Sequence, residues 1–369
     1  MLFRGMLWLM AAAGLSIPIF GQDARSVAPI PSDPLEMVTG QIQAADTPAS
    51  RQAVLGLLDR ARNNYRLPAA GRAYDLKTAF TVNSGGATEY DGAWQMEDTF
   101  DPNQGLRWTA SAGAAYTITE IATKGTLYAE GTPGYIPLRL QEARAALFGA
   151  IPSSALINTA AIRTSTVTFQ GAPVTCVLLS RSKGAPTAAL GRRWDETEDC
   201  IDPQSGLLKL HSQVPGRYYA YDYSNAPQLA GHVFPRKAIV TEGGKTVSQI
   251  SVDTLEDLPA ADSSLFIPTA SMHERGRGIA MTGAQKLSRV VGTGSPIAGA
   301  KAHSVCVFGL VTASGQLVEA HSLQPSDPYS QAALQAANHM NFSRPPPPGQ
   351  IRPPAQQHFV FVIAKFASQ

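Results

Sequence analysis

The chain has 369 residues, of which 44% are hydrophobic and 16% are charged, and its formal net charge is +2. This length predicts two domains, with enough apolar residues for a core that does not need disulfides to be stable. A net charge so close to zero gives no case for a nucleic-acid partner.

The N-terminus has the pattern of a signal peptide, predicted over residues 1–22. Arg4 supplies a positive charge, an apolar run without charges extends from Gly5 to Phe20, and a polar stretch follows. The run is shorter than the roughly 20 residues of a membrane-spanning helix. We therefore expect cleavage and export to the periplasm or cell envelope; the alternative is an uncleaved membrane anchor.

Three cysteines occur in the chain. Cys176 in VTCVLL and Cys200 in WDETEDCID would lie opposite one another if these two runs are paired strands. We predict a disulfide between them, as expected in an oxidising compartment. Cys306 lies in the apolar run SVCVFGLV and is predicted to be a small buried hydrophobic residue.

A helix is the first element expected after a flexible lead at residues 23–46. Thr47 can cap this helix and Pro48 suits its first position. Its apolar face comprises Val54, Leu57, Leu58, Ala61 and Tyr65. A second helix is predicted in IPLRLQEARAALFGAI, between Pro137 and Gly149.

Short alternating strands separated by turns surround the second helix. Eight or more such strands with few helices predict a large antiparallel sheet or open barrel. Tyr219, Tyr221 and Tyr223 alternate and so share one face of their strand. They could form the aromatic wall of an apolar pocket or pack against neighbouring strands.

Residues 47–268 resemble the LolA/LolB-like fold. The resemblance depends on the leading helix, the run of strands and the ending YDYSNAPQLAGHVFPRKAIVTEGGKTVSQISVDTLEDLP followed by LFIP. It implies a curved antiparallel half-barrel closed by helices. It also implies an apolar ligand, since that family carries lipoprotein acyl chains.

Residues 269–299 lack periodicity and are predicted to be a linker. The segment 300–369 then contains the strands VCVFGLV and QLVEAHSL, joined by a hairpin turn in which Gly315 can take a positive φ. Asp327 can cap a helix that begins at Pro328, and HFVFVIAKF is the closing strand.

This β–β–α–β segment resembles the TonB C-terminal domain. The matching positions are Gly309, Gly315, Ala333, Phe342 and Pro345. The resemblance implies a docking domain linked to transmembrane transport. The predicted fold class is therefore α+β, with a large curved antiparallel sheet or half-barrel, packed helices, and a small TonB-like C-terminal domain.

No catalytic, cofactor or metal site is predicted. The seven histidines lack metal-ligand spacing. Glu196 and Glu198 would share one face of a strand, where they could form an acid/base pair, a calcium site or simply a solvated edge.

The predicted function is non-catalytic docking of an envelope protein partner by β-strand addition. The expected edge strand is the last one, with Phe359, Phe361, Ile363 and Phe366. The alternative is a periplasmic carrier of a lipid or acyl ligand. An enzyme whose site is assembled from distant residues is the third hypothesis.

Overall fold

A computed structural model describes residues 41–83, 90–151, 154–180, 191–277, 285–299, 301–312, 314–342 and 358–368. The predicted signal peptide and most of the predicted lead lie outside these ranges, so both stay predictions. Within the described ranges, no helix is long and apolar enough to cross a lipid bilayer.

The described chain forms four α-helices and twenty strands, with two short 3-10 turns. The helices are α1 Pro48–Tyr65, α2 Leu138–Phe148, α3 Ser154–Thr159 and α4 Ser330–Asn338. The first ten strands are β1 Gln43–Ala44, β2 Ala73–Val82, β3 Gly92–Asp101, β4 Gly105–Ala112, β5 Tyr116–Thr123, β6 Thr126–Gly131, β7 Ala161–Phe169, β8 Ala172–Ser180, β9 Thr197–Ile201 and β10 Leu208–Val214. The remaining ten are β11 Arg217–Asp222, β12 Gln228–Leu229, β13 His232–Val233, β14 Lys237–Glu242, β15 Lys245–Leu258, β16 His273–Arg277, β17 Gln285–Thr293, β18 His303–Val311, β19 Leu317–Ser322 and β20 His358–Phe366.

Fourteen strands form one antiparallel sheet, here called the main sheet. Their order is β1-β7-β8-β9-β10-β11-β14-β15-β2-β3-β4-β5-β6-β16. Side chains alternate between its two faces; in β2, for example, Leu76 and Phe80 are buried while Lys77 and Thr81 are exposed. The antiparallel sheet with few helices that the sequence predicts is confirmed.

Helices α1 and α2 pack on the inner face of the main sheet. The side chain of Thr47 caps α1 by accepting a hydrogen bond from the Ser50 N–H at 3.1 Å, as predicted. The apolar face of α1 joins one core cluster with Leu140 and Leu147 of α2 and the inward side chains of the sheet. Helix α2 is buried along its length, from Leu138 to Leu147.

Helix α3 was not predicted, and strands occur in three short stretches where the sequence predicts none. In the predicted lead, β1 pairs with β7, and in the predicted linker, β16 pairs with β6 while β17 pairs with β20. Strands β1 and β16 end the main sheet, where a main-chain ladder on one side holds them. Such strands need no apolar face, which explains why hydrophobic periodicity did not reveal them.

A second sheet, here called the C-terminal sheet, has the strand order β17-β20-β18-β19. Strands β18, β19 and β20 with α4 follow the expected β–β–α–β order, and Gly315 has a φ of 83° in the turn. Helix α4 begins at Ser330, two residues later than predicted. Asp327 still accepts a hydrogen bond near its start, from the Tyr329 N–H at 2.8 Å.

The prediction that β20 is a free edge strand is wrong. It lies inside the C-terminal sheet, antiparallel to β18 on one side and parallel to β17 on the other. Phe359, Phe361, Ile363 and Phe366 are all buried. The sequence did not indicate this because β17 comes from a segment far upstream that has no clear strand pattern.

Candidate functional site

The most distinctive polar site lies where α2 meets the C-terminal sheet. One side of α2 contributes Leu140, Ala143 and Leu147 to the core of the main sheet. Its other side contributes Leu138 and Ala145 to a second apolar cluster. That cluster also contains Trp194, Val214, Cys306, Phe308, Leu310, Leu323, Phe359, Phe361 and Ile363. Helix α2 is thus held between the two sheets.

Four buried charged residues of α2 and the main sheet form an ion-pair ring beside this second apolar cluster. Arg139 pairs with Glu142 and with Glu242, each at 2.8 Å, and Arg217 pairs with Glu242 at 3.0 Å and with Glu142. Arg139 and Glu142 are three residues apart on α2, while Arg217 and Glu242 are direct partners in the β11–β14 ladder. Charges alternate around the ring and sum to zero, which is what burial of ions requires.

The C-terminal sheet closes this ring from outside. The His321 Nε2 lies 2.9 Å from Glu242 Oε2 and 3.3 Å from Arg139 Nη2. The Phe308 ring covers the Arg217 guanidinium, with 4.1 Å between the ring centroid and Cζ. Both contacts shield the ion pairs from water and so strengthen them.

Two carboxyl groups at this junction have shifted pKa values of opposite sign. Burial raises the pKa of Glu319, and the hydrogen bond from the Leu138 N–H, 3.0 Å long, opposes that only in part. Burial also acts to raise the pKa of Glu242, but the neighbouring Arg139 and His321 hold it well below its ordinary value. Glu242 is therefore the carboxyl group of the ring that stays ionised, whereas Glu319 takes up a proton more readily than an ordinary glutamate.

Gly243 brings the two sheets into close contact at the β14–β15 turn. It has a φ of 55°, and a Cβ atom there would lie 2.6 Å from the carbonyl oxygen of Leu323. Glycine is needed at this position both for its conformation and for space.

The three tyrosines predicted as a pocket wall pack against protein. Tyr219 and Tyr221 are fully buried, and the Tyr221 hydroxyl donates to the carbonyl oxygen of Ala146 in α2 at 2.9 Å. The Tyr65 ring of α1 lies edge-on to Tyr221 at 6.1 Å. The Tyr223 hydroxyl donates to the Leu208 carbonyl at 2.9 Å. These contacts agree with the packing interpretation, since α1 and α2 occupy the space beside the rings.

The prediction of a solvated edge at Glu196 and Glu198 is wrong. Both are buried; Glu196 pairs with Arg163 at 2.6 Å and Glu198 with Arg192 at 3.0 Å. Arginines from β7 and from the stretch before β9 neutralise them. Carboxylates engaged in this way are not placed to serve an acid/base reaction.

The disulfide between Cys176 and Cys200 is present, and the two residues are direct partners in the β8–β9 ladder. In the part of the chain that the structure describes, one group of candidate metal ligands occurs: these two sulfurs with Glu198. Because the sulfurs are bonded to each other, they offer no thiolate to a metal. Cys306 is fully buried, as predicted.

Reasoning from the sequence did not identify the ion-pair ring. Arg139 and Glu142 are ordinary charged residues of a helix, and Arg217 and Glu242 lie in other elements. The spacing of Arg139 and Glu142 on α2 was the one local signal. It is equally common on solvent-exposed helices.

No protein-family model matches the chain, and no curated protein matches it. Several solved structures are similar. A LolA superfamily protein from Nitrosomonas europaea is 12% identical, with a TM-score of 0.36, over 58% of this chain and 96% of that chain. An outer membrane lipoprotein-sorting protein domain from Vibrio parahaemolyticus is 9% identical, with a TM-score of 0.35, over 58% and 97%. The MucA/MucB complex of Pseudomonas aeruginosa matches at 11% identity and a TM-score of 0.23, over 60% and 62%. All three TM-scores are below 0.5, so these similarities say nothing about what the protein does.

Proposed function

We propose that this protein is an exported, non-catalytic envelope protein that captures an extended segment of a partner protein by strand addition. The segment joins the C-terminal sheet on the side formed by β17 and β20. The observation that carries the proposal is the nine-position ladder between these strands, beyond which no further strand lies among the described residues. The resemblance of residues 300–369 to the TonB C-terminal domain supports the same role, with a link to transmembrane transport.

The other edge of the C-terminal sheet is less suited to strand addition. The register of β19 against β18 shifts between Phe308 and Leu310, and Glu319 has a positive φ of 47°. The Glu319 carboxylate is also bound to the start of α2. Irregular edges of this kind resist pairing with another chain. The β17 side has an unbroken register over its full length.

The disulfide supports export. Disulfides persist in oxidising compartments such as the periplasm and are rare in the cytosol. The bond between Cys176 and Cys200 closes a loop with a sequence separation of 24 and is fully buried. It agrees with the signal peptide predicted for residues 1–22.

The alternative function is carriage of a lipid or acyl chain. The packing of the described interior supports this function less well than strand addition. The ligand would lie between the main sheet and the helices, where Leu140, Ala146 and Leu147 of α2 are now packed. It would have to displace α2, which the C-terminal sheet covers on its other side. The strand-addition proposal needs no such rearrangement.

Site-specific photo-crosslinking in cells that produce the protein tests the proposal. A photoreactive phenylalanine is placed at Ser288 and, in a second variant, at Arg289, so that both faces of β17 are sampled. The matched control carries it at Val318 of β19. We expect a covalent adduct with one envelope protein from β17 and none from β19. Equal adducts from both edges, or none from β17, would refute strand addition on this side.

A further inference from the structure

We propose that Cys176, Cys200 and Glu198 form a zinc site when the disulfide is reduced, and that oxidation of the two thiolates back to the disulfide releases the ion. The ligand is Zn²⁺, and the reductant that opens the site is a dithiol. This site is independent of docking at β17, so its failure would leave the proposed function untouched.

The donors lie on the outer face of the main sheet. Cys176 and Cys200 are direct partners in the β8–β9 ladder. They belong to an apolar cluster that also contains Val167, Val174, Leu210 and Tyr218. Tyr218 alternates along β11 with Arg217 of the ion-pair ring, so this cluster and the ring lie on opposite faces of the sheet. The proposed zinc site is therefore distinct from the polar site between the two sheets.

The donor atoms are already close enough to surround one ion. The two sulfurs and a carboxylate oxygen of Glu198 all lie within 4.8 Å of one another, and Glu198 Oε1 is 3.9 Å from Cys200 Sγ. Zn–S bonds of about 2.3 Å place two sulfur ligands of a tetrahedral zinc ion about 3.8 Å apart. Sulfur atoms that are no longer bonded move apart by van der Waals repulsion to roughly this distance. Two thiolates and a carboxylate oxygen are ligands that zinc accepts.

The fold holds the donors in place once the bond is open. The β8–β9 ladder pairs five successive positions, with the two cysteines inside it. Glu198 is fixed through its other oxygen, since Arg192 Nη1 lies 3.0 Å from Oε2. Arg192 is itself anchored by a hydrogen bond of 3.0 Å from Nη2 to the Ser212 carbonyl oxygen. Glu198 Oε1 therefore stays on the side of the sulfurs.

The charges of the site balance in both redox states. In the oxidised protein, the buried Glu198 carboxylate is neutralised by the buried Arg192 guanidinium. In the reduced zinc form, two thiolates and Glu198 carry three negative charges, which Zn²⁺ and Arg192 cancel. The next carboxylate along the strand, Glu196, is paired with Arg163. Neutrality in both states satisfies the requirement that buried charges be compensated.

The change between the two forms is a two-electron exchange. A dithiol breaks the bond between Cys176 and Cys200, becomes a disulfide itself, and leaves two thiols on the protein. Zinc binding then displaces the two thiol protons. In the reverse direction, a disulfide accepts the two electrons, the sulfurs rejoin and zinc leaves. Because both sulfurs are fully buried, each step requires local opening of the sheet.

Zinc retention by the reduced protein provides the test. The Cys306→Ala background removes the third thiol, which lies in a different cluster. The protein is reduced with dithiothreitol in urea, refolded without oxidant, and dialysed against Zn²⁺ and then buffer; oxidised protein treated in the same way is the control. We expect one zinc ion per chain in the reduced protein and none in the oxidised protein. Co²⁺ in place of zinc should give thiolate-to-cobalt charge-transfer absorption.

Two variants test the individual ligands. Cys200→Ser removes one thiolate with little change in size and should abolish zinc retention. Glu198→Gln keeps the shape of the side chain but removes the charged oxygen, and it should weaken zinc binding about tenfold or more. Glu97→Gln, on a partly exposed side chain of the same sheet, is the matched control and should bind zinc as the reduced parent does. Circular dichroism verifies that each variant is folded.

Several outcomes would overturn the proposal. Equal zinc in the oxidised and reduced proteins would place the ion elsewhere. Absence of zinc from the folded, reduced protein would show that the donors do not converge, and retention by Cys200→Ser or an unchanged affinity in Glu198→Gln would remove these ligands from the site. Failure of the reduced chain to refold in the presence of zinc would count equally, because the site requires the main sheet without its disulfide. Docking at β17 is tested separately by the cross-link at Ser288.

Discussion

The guanidinium carbon of Arg217 lies 4.1 Å from the ring centroid of Phe308, so a fully buried cation of the main sheet is covered by an aromatic ring of the C-terminal sheet. Together with the contact between Gly243 and Leu323, this joins the two sheets into one packed unit. Deletion of residues 300–369 would expose both the ion-pair ring and the apolar cluster beside it. Docking is therefore better tested with point variants than by truncation.

Gly243→Ala should weaken the contact between the sheets. The new methyl group would lie 2.6 Å from the Leu323 carbonyl oxygen, whereas at the neighbouring Gly244, which also has a positive φ, it would meet nothing within 4 Å. Both variants carry a conformational cost of about 1 kcal/mol. We expect Gly243→Ala to lose a further 1–3 kcal/mol or so from the steric overlap, measured by urea unfolding. Equal losses in the two variants would show that this contact is unimportant.

Arg217→Met should be strongly destabilising, because it leaves Glu142 and Glu242 buried with one cation between them. Breaking a buried ion pair on one side typically costs about 3–5 kcal/mol. Adding Glu142→Gln restores charge balance and should recover part of the loss. Arg60→Met on the exposed side of α1 is the control and should stay within about 0.5 kcal/mol of the unaltered protein. A loss below about 1 kcal/mol for Arg217→Met would contradict a stabilising ring.

Glu120 should make stability depend on pH in a defined direction. Burial raises its pKa despite the hydrogen bond from Trp108 Nε1 at 2.8 Å. The protonated Glu120 carboxyl group therefore makes its full contribution to the free energy of unfolding below the unfolded-state pKa of about 4.3. This contribution is lost as the pH rises through the pKa of Glu120 in the folded state. Glu120→Gln, which keeps an acceptor for Trp108, should therefore gain stability relative to the unaltered protein as pH rises from about 4.5 to 7.

Urea unfolding of both proteins across this pH range provides the measurement. Glu97→Gln, on a partly exposed side chain of the opposite face, is the matched control. A stability difference for Glu120→Gln that does not change with pH would mean that Glu120 titrates alike in the folded and unfolded states.

Removal of the disulfide should lower stability without changing the fold. In the chain-entropy model, a loop with a sequence separation of 24 contributes about 3 kcal/mol. We expect the Cys176→Ala/Cys200→Ala variant to unfold at correspondingly lower urea, and its stability to be insensitive to reductant. Cys306→Ala serves as the control that keeps the disulfide. A double variant as stable as the unaltered protein would show that the bond adds nothing.

Much of the fold could be predicted because its signals are local. Thr47 and Pro48 set the start of α1, and the apolar face of that helix repeats at helical spacing. Cys176 and Cys200 were predicted to lie opposite each other if their two runs pair as strands, and the β8–β9 ladder pairs them directly. The strand alternation of the main sheet likewise depends on neighbouring residues.

The candidate site could not be predicted in the same way. Its ring unites Arg139 and Glu142 of α2 with Arg217 of β11 and Glu242 of β14, and the geometry exists only once these elements pack. Glu196 and Glu198 illustrate the same point. Their spacing suggested a solvated edge, whereas distant arginines bury and neutralise them.

The sequence by itself determined helices α1, α2 and α4, most of the antiparallel strands and the β–β–α–β order, since caps, turns and periodicity act over a few residues. Only the tertiary structure decided which strands form the edges of the C-terminal sheet. Strand β20 has the apolar pattern expected of a docking strand, yet β17 already pairs with it. Hydrogen bonds between strands so distant in the chain depend on the packing of the whole molecule, and residue patterns do not encode them locally.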